Sequence, residues 1–425
     1  MKNRREFLRS CAHGALLAGL ATLLPANVNM FTSRARAAGG APRRRFLFIV
    51  NQGGWDPLTA IAPEFGSPQI TMPVGTSAAT VGGIPIVDHA DRPSVRAYFE
   101  AWASRTLVLH GLSVRSVAHD VCQTTMMTGQ ATGDAPDMQT RLAMSGQGDA
   151  LPHLVIAGPA YPGPLGSLVA RSGAGQLQEL VTGDLLDRSD IMVAGPSMPA
   201  SRVIDDFVRR RAEAFAAARD NPRRRGFAAA QGRAQRLEDL RWDMSFESDG
   251  SLAGQLDVAI EALGRGVAQC VTVSPPVSWD THTDSDNQQS QLWELLFAGL
   301  KGALDRMAVV ASPGGGSETQ KLLDDVTVVV VSEMARTPQL NADQGRDHWP
   351  WTSALVVSSG ITGGRVVGGF DGGYAGLGVD PRSAETDPNR TAPTPAALAA
   401  TLLQLADVDP GVMGPGVEPI AGVIV

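Results

Sequence analysis

The sequence predicts an α/β fold: a doubly wound, mostly parallel sheet with helices on both faces. Two observations carry this. Short, unbroken apolar runs end in turn residues, and these runs alternate with segments of helical spacing. A strand covered on both faces has no polar side, so it reads as a continuous apolar run.

Phe46-Leu47-Phe48-Ile49-Val50 is the first such run, stopped by Asn51-Gln52-Gly53-Gly54. A helix is expected around residues 94–103, a second strand over 106–110 and a weaker third over 154–157. Residues 204–240 are helical and densely charged, with Arg209-Arg210-Arg211 inside and a break near Asn221-Pro222. They predict a solvated helical hairpin, inserted at about 200–245. Helical spacing returns over 252–263, a strand over 269–273 and a long helix over 289–307. A Gly-rich loop, 313–317, leads through a short helix to the strand 326–331. A strand over 354–357 and a last amphipathic helix over 395–406 follow, with 360–389 read as Gly-rich loop. No internal repeat is visible, and residues 43–425 read as a single domain.

The first 37 residues read as an address. Arg4-Arg5 precede Phe7-Leu8, an apolar stretch runs from Ala15 to Leu24, and Ala35-Arg36-Ala37 has the small-x-small pattern of a cleavage site. The paired arginines select the twin-arginine route. The translocase and a signal peptidase are therefore expected partners, with a periplasmic or secreted destination. Retention of the signal as an anchor is the alternative. The apolar stretch is shorter than the roughly 20 residues a spanning helix needs.

Without residues 1–37 the chain holds 30 basic and 42 acidic residues, a formal charge of −12. That balance opposes nucleic acid or an anionic membrane as the main partner. No further apolar run is long enough to span a bilayer. Cys122 and Cys270 remain after cleavage, and their settings suggest two separate buried thiols rather than a disulfide.

In doubly wound sheets, ligands bind beyond the carboxyl ends of the strands. Asp56 follows the first strand, and His119 closes the loop after the second. Asp280 and His282 follow the strand at 269–273, and Glu333 follows the strand at 326–331. Asp347 and His348 stand just before the strand at 354–357. Histidines beside carboxylates at so many strand ends suit a divalent ion such as zinc, manganese or calcium. Asp280 and His282, two apart, share a side if extended. Each position also has a plainer reading. Asp56 suits a turn or cap, His119 a helix cap, Asp280-Thr281-His282 a polar turn, and Glu333 an ion pair with Arg336.

Gly53-Gly54-Trp55-Asp56, Trp279-Asp280-Thr281-His282, Ser332-Glu333-Met334-Ala335-Arg336-Thr337-Pro338 and Gly345-Arg346-Asp347-His348-Trp349 together resemble an exported family, domain of unknown function 1501. That family looks related to the alkaline phosphatase and sulfatase superfamily. The resemblance implies an alkaline phosphatase-like domain with Asp56, Asp280, His282, Glu333 and His348 as metal ligands, and Asp347 as a further candidate. It also implies hydrolysis of a phosphate or sulfate ester, with Arg336 or Arg346 holding the anionic group bidentately. The nucleophile position of the superfamily falls at about His119, without the surrounding sulfatase pattern. Ser116, Thr124 and Thr125 are substitutes, hydrolysis without a protein nucleophile stays open, and so does a non-catalytic protein that binds a ligand or partner on the same scaffold.

Overall fold

The computed structural model describes residues 43–146, 148–173, 198–217, 221–240, 245–246, 248–313 and 319–425. The expected export signal at 1–37 and most of the Gly-rich loop at 313–317 lie outside the described residues. In chain order the elements are β1 (Arg45–Asn51), β2 (Ser77–Val81), β3 (Ile84–Asp88), α1 (Pro93–Trp102), β4 (Thr106–Ser113), α2 (His119–Thr128), α3 (Met138–Ala143), β5 (His153–Val155) and β6 (Val169–Arg171). The hairpin helices α4 (Met198–Ala216) and α5 (Pro222–Leu240) follow, then α6 (Leu252–Gly264), β7 (Cys270–Val273), α7 (Ser285–Met307) and α8 (Leu322–Asp325). The chain ends with β8 (Val326–Ser332), β9 (Ala335–Arg336), β10 (His348–Trp349), β11 (Trp351–Val357), β12 (Arg365–Val367) and α9 (Pro395–Leu405).

Eight strands form the main sheet in the order β12-β4-β11-β8-β1-β7-β5-β6. β1 lies inside it, parallel to both β7 and β8. Every residue of β1, β7 and β8 is buried, which is why these segments carry no polar alternation. The fold is the mostly parallel α/β sheet that the sequence predicts. β11 is the exception, running antiparallel to β4 and β8.

Both faces are covered. Leu47 and Ile49 of β1 enter a core with α1, α6 and α7, whereas Phe46, Phe48 and Val50 enter another with α2, α3 and α9. The period of two along one strand thus serves two layers, each buried aliphatic or aromatic side chain contributing about 1.5–3 kcal/mol. Local signals agree with the layers. Ser251 caps α6 through the Gly254 amide, and Thr394 caps α9 through the Ala397 amide, with Pro395 in the first turn. The segment 360–389 is not all loop: it supplies the edge strand β12, parallel to β4. Cys122 and Cys270 are free and buried, as two separate thiols. Among the described residues no helix is long and apolar enough to cross a membrane.

Candidate metal centre

The loops beyond the carboxyl ends of β1, β4, β7 and β8 meet at one edge of the sheet. β11 runs the other way, so the residues just before it reach that same edge. This brings His348 to histidines and carboxylates that follow parallel strands.

Three side chains form the centre of the cluster. One ligand-type atom each from His119, Asp280 and His348 lies within 4.8 Å of the others. Nε2 of His348 is 3.2 Å from Oδ1 of Asp280, and Nε2 of His119 is 3.5 Å from Oδ2. His282 stands beside them, its Nε2 3.0 Å from Asp280 Oδ1 and 3.0 Å from His348 Nε2. Its Nδ1 meets Asp347 Oδ1 at 3.1 Å.

A second layer orients these groups. Nδ1 of His348 lies 2.7 Å from the Val117 carbonyl, which fixes a proton on Nδ1 and turns the Nε2 lone pair to the cluster. Nδ1 of His119 lies 3.0 Å from Oε1 of Glu333, and the Gly53 amide donates to that oxygen at 2.7 Å. Arg336 is fully buried and donates to Asp280 Oδ1 at 2.5 Å, to the Gly54 carbonyl at 2.9 Å and to the Arg346 carbonyl at 3.1 Å. The charges follow. Partial burial pushes the Asp280 carboxyl up, but Arg336, His348 and His119 outweigh it and bring it down to about 2. The hydrogen bond to Glu333 raises the His119 pKa. Asn341 and His282 lower that of Asp347.

The loops are clamped together by backbone and by one glutamine. Gly53, at φ +109°, packs so closely that a Cβ there would lie 2.5 Å from the Asp280 nitrogen. Gln289 of α7 accepts from the Asp56 amide and donates to the Trp279 carbonyl and to Thr281 Oγ1, tying the loops after β1 and β7. Beneath them Trp55 stacks on Trp293 in the core, Trp279 meets both rings edge-on, and the Trp55 indole donates to Thr352. Neither Gln289 nor the Val117 carbonyl stands out in the sequence, because nothing local marks either.

The remaining candidates are placed differently. Asp56 is only 1% exposed and its Oδ2 lies 3.1 Å from Nε of Arg346, a buried ion pair without hydrogen-bond alignment. Burial pushes this carboxyl up, and Arg346 draws it part of the way back. Arg346 is itself fully buried and donates to the Thr337, Pro338 and Thr71 carbonyls and to Asp286. Ser116 Oγ accepts from the Ala118 amide, and Thr124 Oγ1 donates to the Asp120 carbonyl in its own helix. His119, not a hydroxyl, is the first residue of α2.

The donor set fits a divalent ion. Tetrahedral zinc holds nitrogen and oxygen ligands at about 2.0–2.2 Å, hence roughly 3.3–3.6 Å from one another, close to the spacings here. Nε2 of His119 is buried without a hydrogen-bond partner, as a ligand atom would be. Imidazoles with one carboxylate suit zinc or manganese rather than calcium, which takes oxygen ligands.

A search of curated proteins returns no match. Similar solved structures include the PH0037 protein from Pyrococcus horikoshii, with 12% identity over 75% of this chain and 89% of that one, at a TM-score of 0.30. They also include BT1596, a 2-O GAG sulfatase, with 9% identity over 86% and 71% of the two chains, at a TM-score of 0.38. A third is a phosphonate monoester hydrolase of Agrobacterium radiobacter, with 12% identity over 76% and 70%, at 0.27. These likenesses are remote, and the chemistry of the cluster rests on the chain's own residues. A family model described as protein of unknown function, DUF1501, matches residues 51–415, and the chain belongs to that family.

Proposed function

We propose that the protein is an exported, metal-dependent hydrolase of phosphate or sulfate esters. The observation that carries the reading is the convergence of His119, Asp280 and His348 within 4.8 Å, from three different loops. Zinc or manganese held there would supply Lewis-acid stabilisation of the charge developing on the ester oxygens.

The chain's own groups do the rest. Arg336 keeps Asp280 ionised, and Glu333 and the Val117 carbonyl aim the imidazoles of His119 and His348. His282, between Asp347 and His348, places an imidazole able to hold or pass a proton at the mouth of the cluster. The test is to purify zinc- and manganese-loaded protein, measure bound ion by elemental analysis, and screen aryl phosphates and sulfates. Asp280→Ala and His119→Ala should abolish both binding and turnover; turnover that survives both refutes the site.

A second reading, a non-catalytic binding protein on the same scaffold, draws on the hydroxyls. Ser116 and Thr124 are engaged with their own backbone, and Cys122 is fully buried. It predicts a stoichiometric ion with no turnover of either ester class.

Export rests on Arg4-Arg5, the apolar run from Ala15 to Leu24 and Ala35-Arg36-Ala37. Arg4→Lys with Arg5→Lys should leave the protein unprocessed in the cytoplasmic fraction. Normal processing of that variant refutes this route.

A further inference from the structure

Beside the metal cluster, four neutral side chains form one directed row of hydrogen bonds. Tyr161 Oη donates to Gln123 Oε1 at 2.9 Å, and Gln123 Nε2 donates to Gln52 Oε1 at 3.1 Å. Gln52 Nε2 then donates to Ser274 Oγ at 2.9 Å, and Ser274 Oγ to the Val50 carbonyl at 2.8 Å. The neighbouring strands β1, β7 and β5 supply Gln52, Ser274 and Tyr161 from the loops beyond their carboxyl ends, and α2 supplies Gln123. The row abuts the cluster at two points. Gln123 lies one helical turn beyond His119 on α2. Gln52 precedes Gly53, whose amide meets Glu333, and its carbonyl accepts the Trp279 amide at 2.8 Å, next to Asp280.

The direction of the row is forced. A backbone carbonyl only accepts, so the Ser274 hydroxyl donates to Val50 and accepts from Gln52, and each amide beyond it is turned the same way. Tyr161 therefore spends its proton inward and keeps its phenol lone pairs. Among the described residues, each glutamine also keeps one N–H and one oxygen lone pair unengaged. Gln52, Gln123 and Tyr161 are half-buried, so this spare capacity borders solvent, whereas Ser274 is buried. The frame beneath is rigid. The Tyr161 amide donates to Asp137 Oδ2 at 2.6 Å, its carbonyl accepts the Asp137 amide at 2.7 Å, and its ring packs against the core with α2, α3 and α9. Gly158 approaches so closely that a Cβ there would stand 3.0 Å from the Ser274 Cβ.

We propose that this row is the subsite for the alcohol part of the ester, and that the alcohol is a neutral polyhydroxyl compound, a sugar. N–H donors alternate there with oxygen acceptors, and none of the four side chains is charged. Adjacent sugar hydroxyls, each able to donate and to accept, match such a row. An apolar alcohol would strip water from the amides and the phenol without replacing those bonds, which costs binding. A second charged group on the alcohol would meet no counter-charge among these four. The inference rests on the hydrolase reading for the ester bond, whereas recognition of the hydroxyls is a matter of binding alone.

Calorimetric titration of the zinc-loaded protein tests this, with glucose 6-sulfate, galactose 6-sulfate and glucose 6-phosphate set against phenyl sulfate and phenyl phosphate. Turnover of the same esters is followed separately. At least one sugar ester should bind about tenfold tighter than its phenyl counterpart. Tyr161→Phe keeps the ring and both backbone bonds to Asp137, and Gln123→Leu breaks the row at its middle. Each should weaken the sugar ester about three- to tenfold and shift the phenyl ester less than about twofold. A merely structural row would weaken both classes alike, and that result overturns the inference. Phenyl esters bound as tightly as every sugar ester overturn it too. Sugar esters bound but not turned over refute the hydrolase reading and leave the subsite standing. Phenyl esters turned over while no sugar ester binds refute the subsite alone, and no binding of any ester refutes both.

Discussion

Oε1 of Glu333 holds Nδ1 of His119 at 3.0 Å while accepting the Gly53 amide at 2.7 Å. The backbone amide can only donate, so this oxygen is an acceptor, and His119 must donate its Nδ1 proton to it. The Nε2 lone pair is thereby aimed at Asp280 and His348. Glu333→Gln keeps the shape but loses the charge that supports the imidazole. Metal affinity should fall about 10–100-fold, with little change in melting temperature. Calorimetric titration with zinc or manganese measures this, and an unchanged affinity counts against the orienting role. The pKa of His119 should also fall in this variant, because the hydrogen bond that raises it is weakened.

Much of this arrangement is visible in the residues themselves, for a physical reason. β1 and β8 are buried on both faces, so their apolar runs leave no doubt about strand or layer. The histidines and carboxylates after those runs are legible because polar groups there lie where ligands bind. Direction is not legible. The apolar run in β11 looks the same either way, yet its antiparallel sense brings His348 to the site. Nor does Gly53-Gly54-Trp55-Asp56 reveal that Asp56 turns to Arg346, ten residues beyond Arg336, rather than to the cluster. β6 and β12 have three residues each, too few for a period to register.

Asp56 and Arg346 give a prediction that separates a structural carboxylate from a ligand. Replacing one member of a buried pair leaves the other charge uncompensated, at a cost of about 3–5 kcal/mol. The Thr337, Pro338 and Thr71 carbonyls still solvate Arg346, so the lower end is expected for Asp56→Asn. Chemical denaturation should show that loss while elemental analysis shows the ion retained. Loss of the ion with stability intact would instead make Asp56 a ligand.

His110 sets part of the acid sensitivity. It is buried between Ser353 Oγ and the Ile61 carbonyl, and burial lowers its pKa from 6.5 to about 4. The unfolded chain takes up a proton there below about pH 6.5, whereas the native chain does so only near 4. The stabilisation is therefore complete above pH 6.5 and is lost as pH falls toward 4, a change on the order of 3 kcal/mol. Burial lowers the pKa of His153 as well, which acts in the same sense. Denaturation midpoints between pH 7 and 4, compared with His110→Gln, should show a shallower decline in the variant. Equal slopes would mean that His110 does not titrate in this way.

Gly345 tests how closely the loops must approach. A Cβ at this position would stand 1.8 Å from the His282 carbonyl oxygen and 2.4 Å from the Thr283 nitrogen. Both neighbours are backbone, so no side-chain rotation relieves the clash, and either the segment before Arg346 or the one carrying His282 must move. The Asn341 amide bonds to the His282 carbonyl, and the Asn341 amide oxygen to the Gly345 nitrogen, so the shift spreads through the whole clamp. Gly345→Ala should cost about 2–3 kcal/mol of stability. It should also weaken metal binding, since His282, Asp347 and His348 ride on the segments that separate. Gly302, on α7 with nothing near its missing Cβ, is the matched control. Gly302→Ala should raise stability by about 0.5–1 kcal/mol through helix propensity and leave metal binding untouched. If Gly345→Ala binds the ion as tightly as the control, the close approach of the loops is not what positions the histidines.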